Sequence, residues 1–170
     1  MPTIDKTDRF LAVLQDNKGI IYKVTNAYCP NPEDRPDLAQ EILVQLWQAF
    51  DGYDRRFQYS TWVYRIALNV AISFYRKESS RKKMTHPLPA GIFDFSDHSS
   101  AEDTETDLGL LQQAISQLKE LDKALILLYL EEKPYREIAH IMGISESNVA
   151  TKIARIKNLL KQKFSQLQYN

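Results

Sequence analysis

Tyr135–Leu160 reads YREIAHIMGISESNVATKIARIKNLL, two helix-like runs with a single glycine, Gly143, between them. A continuous helix gains nothing from that residue, which costs about 1 kcal/mol relative to alanine in a helix interior. Pro134 can open the first run, in which Ile138, Ala139 and Met142 face one way, with Ala139 small enough for two helices to cross closely. Gly143 suits the left-handed conformation that ends a helix, Ile144 plugs the corner, and Ser145 is a good N-cap for the second run. In that run Val149, Ile153, Ile156 and Leu160 recur as a buried stripe. The opposite face presents Ser147, Asn148, Thr151, Lys152 and Arg155, short polar groups first and long cations further on. A helix that enters a major groove needs that order, because its N-terminal residues meet the base edges. The stretch predicts a helix-turn-helix that reads duplex DNA. A purely structural helical hairpin would explain the glycine but not the exposed basic face.

The rest of the chain has to be compatible with that reading. A length of 170 residues suits one large domain or two small ones, and 44% hydrophobic with 26% charged residues predicts a globular, soluble protein. No apolar stretch approaches the ~20 residues that span a bilayer. MPTIDKTDRF at the start lacks a basic run followed by an apolar core, so no secretory signal is expected. The single cysteine, Cys29, builds no disulfide framework and fits a reducing cytoplasm as a small buried residue. Net charge is zero, which argues against a nucleic-acid binder until the charges are mapped. Residues 54–83 hold eight Lys/Arg against two acids, 84–107 hold six acids and no Lys or Arg, and 133–164 hold seven Lys/Arg against two acids. Solvated helix faces would explain any one block, but the segregation points to partners of defined charge.

Apolar spacing places the remaining helices. Phe10, Val13, Leu14, Ile21, Val24 and Tyr28 fall near one face of a helix over about 8–28, and the three prolines of CPNPEDRPD stop it. Pro36 then opens a second helix carrying Leu38, Ile42, Leu46 and Phe50, ending at Asp51-Gly52. After the loop YDRRFQY, Ser60 or Thr61 caps a third helix with Val63, Ile66, Ala67, Val70 and Phe74 inward. Periodicity stops in MTHPLPAGIFDFSDHSSAEDTETD, which reads as an acidic tether in which Phe93 and Phe95 offer a docking point. It resumes with Leu108, Leu111, Ile115 and Leu118, after which Asp122 looks like a cap for the core helix ALILLYL. The fold class expected is all-α: two small helical domains joined by a flexible acidic linker, divided as 1–83, 84–107 and 108–170.

FQYSTWVYRIALNVAISFYRKESSRKK interleaves aromatic rings with cations. Single-stranded DNA is held that way, bases stacking on rings while cations follow the phosphates. Several of these rings, Phe74 and part of Trp62 among them, belong to a core, whereas Tyr59 lies in the polar loop. Together these segments resemble a bacterial RNA polymerase sigma factor of the extracytoplasmic-function (ECF) type. DLAQEILVQLW (37–47) is similar to that family's region 2.2, FQYSTWVYRIALNVAISFYRK to regions 2.3 and 2.4, and LGLLQQAISQL through IARIKNLL to region 4. The resemblance covers nearly the whole chain, in order.

The resemblance implies roles. Asp37, Gln40, Glu41 and Trp47 would dock on the clamp helices of the polymerase β′ subunit. The loop and third helix would capture and open the −10 element, with Tyr59, Trp62 and Asn69 at bases and Arg65, Arg76 and Lys77 as cations beside them. Region 4 would read the −35 duplex through Ser147, Asn148, Thr151, Lys152 and Arg155 and touch the β flap. The acidic tether would lie where nascent RNA passes. Partners are core RNA polymerase and promoter DNA, with an anti-sigma factor as an optional third. Ser73 stands where many relatives carry an acid, so contacts at the end of the third helix do not carry over. Ala150 stands where many are basic and Asn148 where many have threonine, so the −35 preference does not carry over either. The runner-up is an autonomous regulator that binds operator DNA as a dimer, but the N-terminal half offers no ligand-pocket or phosphoacceptor pattern. An enzyme is the third reading, and no site for one is legible. The acids lack ligand spacing and His86, His98 and His140 are scattered, so no catalytic residue, metal or cofactor is expected.

Overall fold

The structure, a computed structural model, describes residues 4–84 and 107–169. Among them the regular elements are α-helices and one 3-10 turn: α1 (Lys6–Tyr28), α2 (Arg35–Ala49), the turn Phe50–Gly52, α3 (Tyr59–Met84), α4 (Asp107–Ser116), α5 (Glu120–Leu130), α6 (Tyr135–Met142) and α7 (Glu146–Tyr169). The chain is all-α, as its patterning predicts. It divides into two compact units, Met1–Tyr75 and Arg76–Asn170. The tether with Phe93 and Phe95 lies outside the described residues.

In the first unit α1 packs along α2. α1 buries Phe10, Val13, Ile21, Val24 and Tyr28, while Leu14 is only half-buried. The prolines stop it, and Arg35 Nε donates to the Cys29 carbonyl at 2.9 Å, closing the corner between helices. α2 therefore starts at Arg35, one residue before Pro36, and buries Leu38, Ile42 and Leu46 completely. Removing each such side chain from water stabilises the fold by about 1.5–3 kcal/mol. Phe10 meets Trp47 edge-on at 5.1 Å and Phe50 of the 3-10 turn at 5.3 Å, and Trp62 of α3 lies 6.0 Å from Phe50.

α3 corrects two expectations. It begins at Tyr59, so Ser60 and Thr61 sit in its first turn rather than before it, and Thr61 is buried. Its core side is Val63, Tyr64, Ala67, Leu68, Ala71 and Ile72, with Ile66, Val70 and Phe74 half-buried on the flank. The segment carries apolar residues nearly all round, and packing favoured the side that also buries Tyr64 and Leu68.

In the second unit α7 packs against α4, α5 and α6. Val149, Ile153, Ile156 and Leu160 form its buried stripe, and Ala114, Leu118, Ala124, Leu125, Leu128 and Ile138 pack the same core. α5 begins at Glu120, two residues before Asp122, so Asp122 is not its cap but a buried acid in its first turn. Two helix ends close alike. Lys133 N–H donates to the Leu128 carbonyl at 3.2 Å after α5, and Ile144 N–H to the Ala139 carbonyl at 3.1 Å after α6. Both closures need a left-handed residue, supplied by Glu132 (φ 60°) and Gly143 (φ 70°).

Candidate nucleic-acid interface

The turn between α6 and α7 is built as its residues require. Gly143 N–H donates to Ala139 O at 2.8 Å, and the Ser145 hydroxyl accepts the Asn148 N–H at 3.1 Å, capping α7. Ala139, Ile138 and Ile141 of α6 are buried, with Met142 half-buried where fuller burial was expected. Ser147, Asn148, Thr151 and Arg155 are exposed on the side of α7 away from its stripe, and Lys152 is half-buried at its edge. The Thr151 hydroxyl donates to the Ser147 carbonyl at 3.0 Å. Arg155 is not wholly outward: its Nη2 donates to Asp122 Oδ1 on α5 at 3.1 Å. Two residues on, the Lys157 ammonium lies 4.2 Å from the Tyr129 ring centroid, and a hydrogen bond with that tyrosine raises its pKa. The sequence-predicted residues share one face. The Asp122 link was not anticipated.

A second surface runs along α3. Arg65 and Asn69 are exposed at helical spacing from half-buried Trp62, so these three line one side of the helix within the first unit. Arg76 and Lys77 are exposed in the second unit, Arg76 paired with Glu120 at 3.2 Å. Tyr59 opens that helix, not the loop, and is 39% exposed because its other face stacks on Tyr53 at 4.1 Å and 17°. Trp62 lies edge-on to Tyr53 at 5.7 Å and to Tyr59 at 6.5 Å. The Tyr53 hydroxyl donates to the Phe57 carbonyl, bracing the loop. Desolvation, then Tyr59 and Asp54, raise the Tyr53 pKa, so the phenol stays protonated as a donor. Arg56 is paired with Asp54 at 2.7 Å. Sequence reasoning overlooked Tyr53, although its position in an aromatic-rich loop was the available signal.

On α2, Asp37, Gln40 and Glu41 are exposed together. Trp47 stands at the edge of that face, 38% exposed, packed edge-on against Phe10 beneath the Lys6 ammonium at 4.2 Å. Between them Val44 is 46% exposed, an apolar member that the sequence pattern hides because it lies off the Leu38/Ile42/Leu46 stripe.

These surfaces fall within two matched family segments, Sigma-70 region 2 over residues 13–81 and Sigma-70 region 4 over residues 108–160. The chain is 30% identical to ECF RNA polymerase sigma factor SigW of Bacillus subtilis over 94% of its own length and 91% of the relative's. The chain belongs to the ECF sigma factors. SigM of the same organism is 30% identical over 74% of this chain and 76% of the relative. Among solved structures, the sigma factor RpoE from Bartonella quintana, in complex with anti-sigma factor NepR, aligns at TM-score 0.61 and 18% identity over 94% of this chain and 96% of that one. CnrH, in complex with the cytosolic domain of CnrY, aligns at 0.65 and 18% over 92% and 88%. This sigma factor is accordingly a promoter-directing initiation factor, and the autonomous operator-binding reading is not favoured. No helix among the described residues is long and apolar enough to cross a membrane.

Proposed function

We propose that the three faces divide the work of initiation. The α2 face of Asp37, Gln40, Glu41 and Trp47 docks on the β′ clamp helices, with Val44 as an apolar contact. The α3 face and the Tyr59 ring hold the opened −10 strand: Trp62 and Asn69 meet bases, Arg65, Arg76 and Lys77 the backbone. The α7 face of Ser147, Asn148, Thr151, Lys152 and Arg155 reads the −35 duplex, and the second unit touches the β flap. Residues 1–83 and 108–170 act as the two functional domains, with the acidic 84–107 tether following the RNA path. The factor works by binding, without chemistry of its own, in the cytoplasm, and an anti-sigma factor that occludes these faces is the partner class for its control.

The observation that supports this most is the α7 face itself: exposed polar and cationic residues on one side, held by a left-handed glycine and a serine cap, in a chain of this family. The test is run-off transcription from duplex templates with core polymerase plus this chain. Sequence-specific starts that depend on the chain are expected. DNA binding by the chain alone to a palindrome, with no polymerase-dependent start, would overturn the reading.

A further inference from the structure

We propose that Asp122, which lies outside the DNA-reading face, is a positioning residue for it: from α5 it fixes the direction of the Arg155 guanidinium and so sets base discrimination rather than affinity. This rests on the assignment of the α7 face to the −35 duplex. The pair is asymmetric. The Asp122 side chain is 12% exposed and that of Arg155 62%. A carboxylate so desolvated is costly unless paired, and an arginine so exposed gives back little of that cost. Both partners line an open cleft of about 270 Å³ with apolar Leu125, Met142 and Ile144 and charged Lys119, Glu120 and Lys152, and the low exposure of the Asp122 carboxylate strengthens its bond to Arg155.

The placement also works against simple DNA affinity. An acid beside a basic face cancels one positive charge that would otherwise attract phosphate, so removing it should strengthen non-specific binding. What the acid supplies instead is orientation. A guanidinium is planar with its five N–H donors in a fixed fork, so holding Nη2 fixes the plane while the other donors remain for a base edge. A free arginine at this position would meet phosphates and several bases almost equally well. A held one discriminates, and discrimination is a difference between affinities. Lys152 lines the same cleft a turn earlier, where its flexible ammonium acts as a point charge with no plane to fix.

The experiment uses holoenzyme assembled from core polymerase and the full chain, a duplex promoter library randomised across the −35 region, and sequencing of the bound fraction. Asp122→Ala removes the acceptor at a good helix position, Asp122→Asn keeps an oxygen acceptor without the charge, and Arg155→Ala removes the arginine. Each is also measured on a non-specific duplex across a salt series, with a melting curve for each protein. Preference ratios are read within one preparation, so a reduced folded fraction cancels. Asp122→Ala should flatten preference about five-fold or more at the positions that Arg155→Ala flattens, and add nothing in the double variant. Asp122→Asn should fall between it and the parent, and non-specific duplex should bind as tightly or more tightly. An unchanged base profile in Asp122→Ala overturns the proposal, as does a uniform loss across all sequences with a lowered melting temperature, the mark of a purely structural acid. If the parent holoenzyme itself shows no −35 preference, the α7 assignment fails, and the positioning role with it.

Discussion

The Tyr59 ring has one face against Tyr53 and 39% of its surface open, so an unpaired base could stack on it from one side only. Such stacking contributes about 1–3 kcal/mol per base, enough to offset much of what a −10 base loses on leaving the duplex. Tyr59→Ala should therefore bind core polymerase normally yet open a duplex promoter about ten-fold or more less well. A template mismatched across the −10 region should recover much of the loss, and permanganate reactivity of unpaired thymines is the readout. Equal defects on both templates would mean that the ring only supports Tyr53 and the loop. Two backbone positions give a second residue-level expectation. Gly143 and Glu132 both have positive φ, and a Cβ at Gly143 would meet nothing within 4 Å, so Gly143→Ala should cost about 1 kcal/mol through backbone strain alone. Glu132→Gly relieves similar strain but adds unfolded-chain entropy, so it should be neutral or stabilising by about 0.5 kcal/mol. Urea unfolding followed by circular dichroism decides both, and a loss on Glu132→Gly would locate a contact made by the Glu132 side chain. Gly143 and Ser145 were legible in the sequence because a helix end is satisfied by its own neighbours. The Asp122–Arg155 bond was not, since it joins residues 33 apart and Asp122 also fits the pattern of a local cap.

Helix faces were legible where one stripe is apolar and the other polar. α7 has that contrast, and its stripe is buried as the spacing predicts. α3 does not: Ile66, Val70 and Phe74 offer a plausible inward line beside Tyr64, Leu68 and Ile72, and only tertiary packing selects the second. The consequence for the site is favourable, because turning Tyr64 inward leaves Arg65 and Asn69 on the exposed side with Trp62 at its edge. α2 has the clear contrast, and it carries the element-level prediction. Leu38, Ile42 and Leu46 hold the helix in its core, so Asp37, Gln40 and Glu41 are exposed without a packing role. Glu41→Lys should then lower affinity for core polymerase while changing stability by no more than ~0.5 kcal/mol. Val44→Ala, also exposed, should weaken docking less, since it removes little apolar area. Titration of labelled chain with core polymerase, beside a melting curve, tests the pair. Unchanged affinity in both variants removes this face from the interface.

Each compact unit has its own buried set, Leu38, Ile42, Leu46, Val63 and Leu68 in one and Leu125, Leu128, Ile138, Ile153 and Ile156 in the other. Stability is thus a property of each half, and a defect in one core should spare the other's function. Ile153 is the place to test this, being 1% exposed on the inner side of α7 and away from the reading face. Ile153→Ala should cost the second unit about 2–5 kcal/mol. For a unit of that size each kilocalorie lowers the midpoint by about 4–8 °C, so the shift should be on the order of 10 °C or more. The chain supplies its own reporters. Both tryptophans, Trp47 and Trp62, lie in the first unit, so indole fluorescence follows that half, whereas far-ultraviolet circular dichroism follows the helices of both. Heating Ile153→Ala should give an early circular-dichroism transition with the fluorescence midpoint unmoved. Between the two transitions the protein should still bind core polymerase through α2 and lose −35-dependent selection. A common shift in both signals would mean that the halves unfold as one cooperative unit, and the division of labour between them would then have no independent thermodynamic basis.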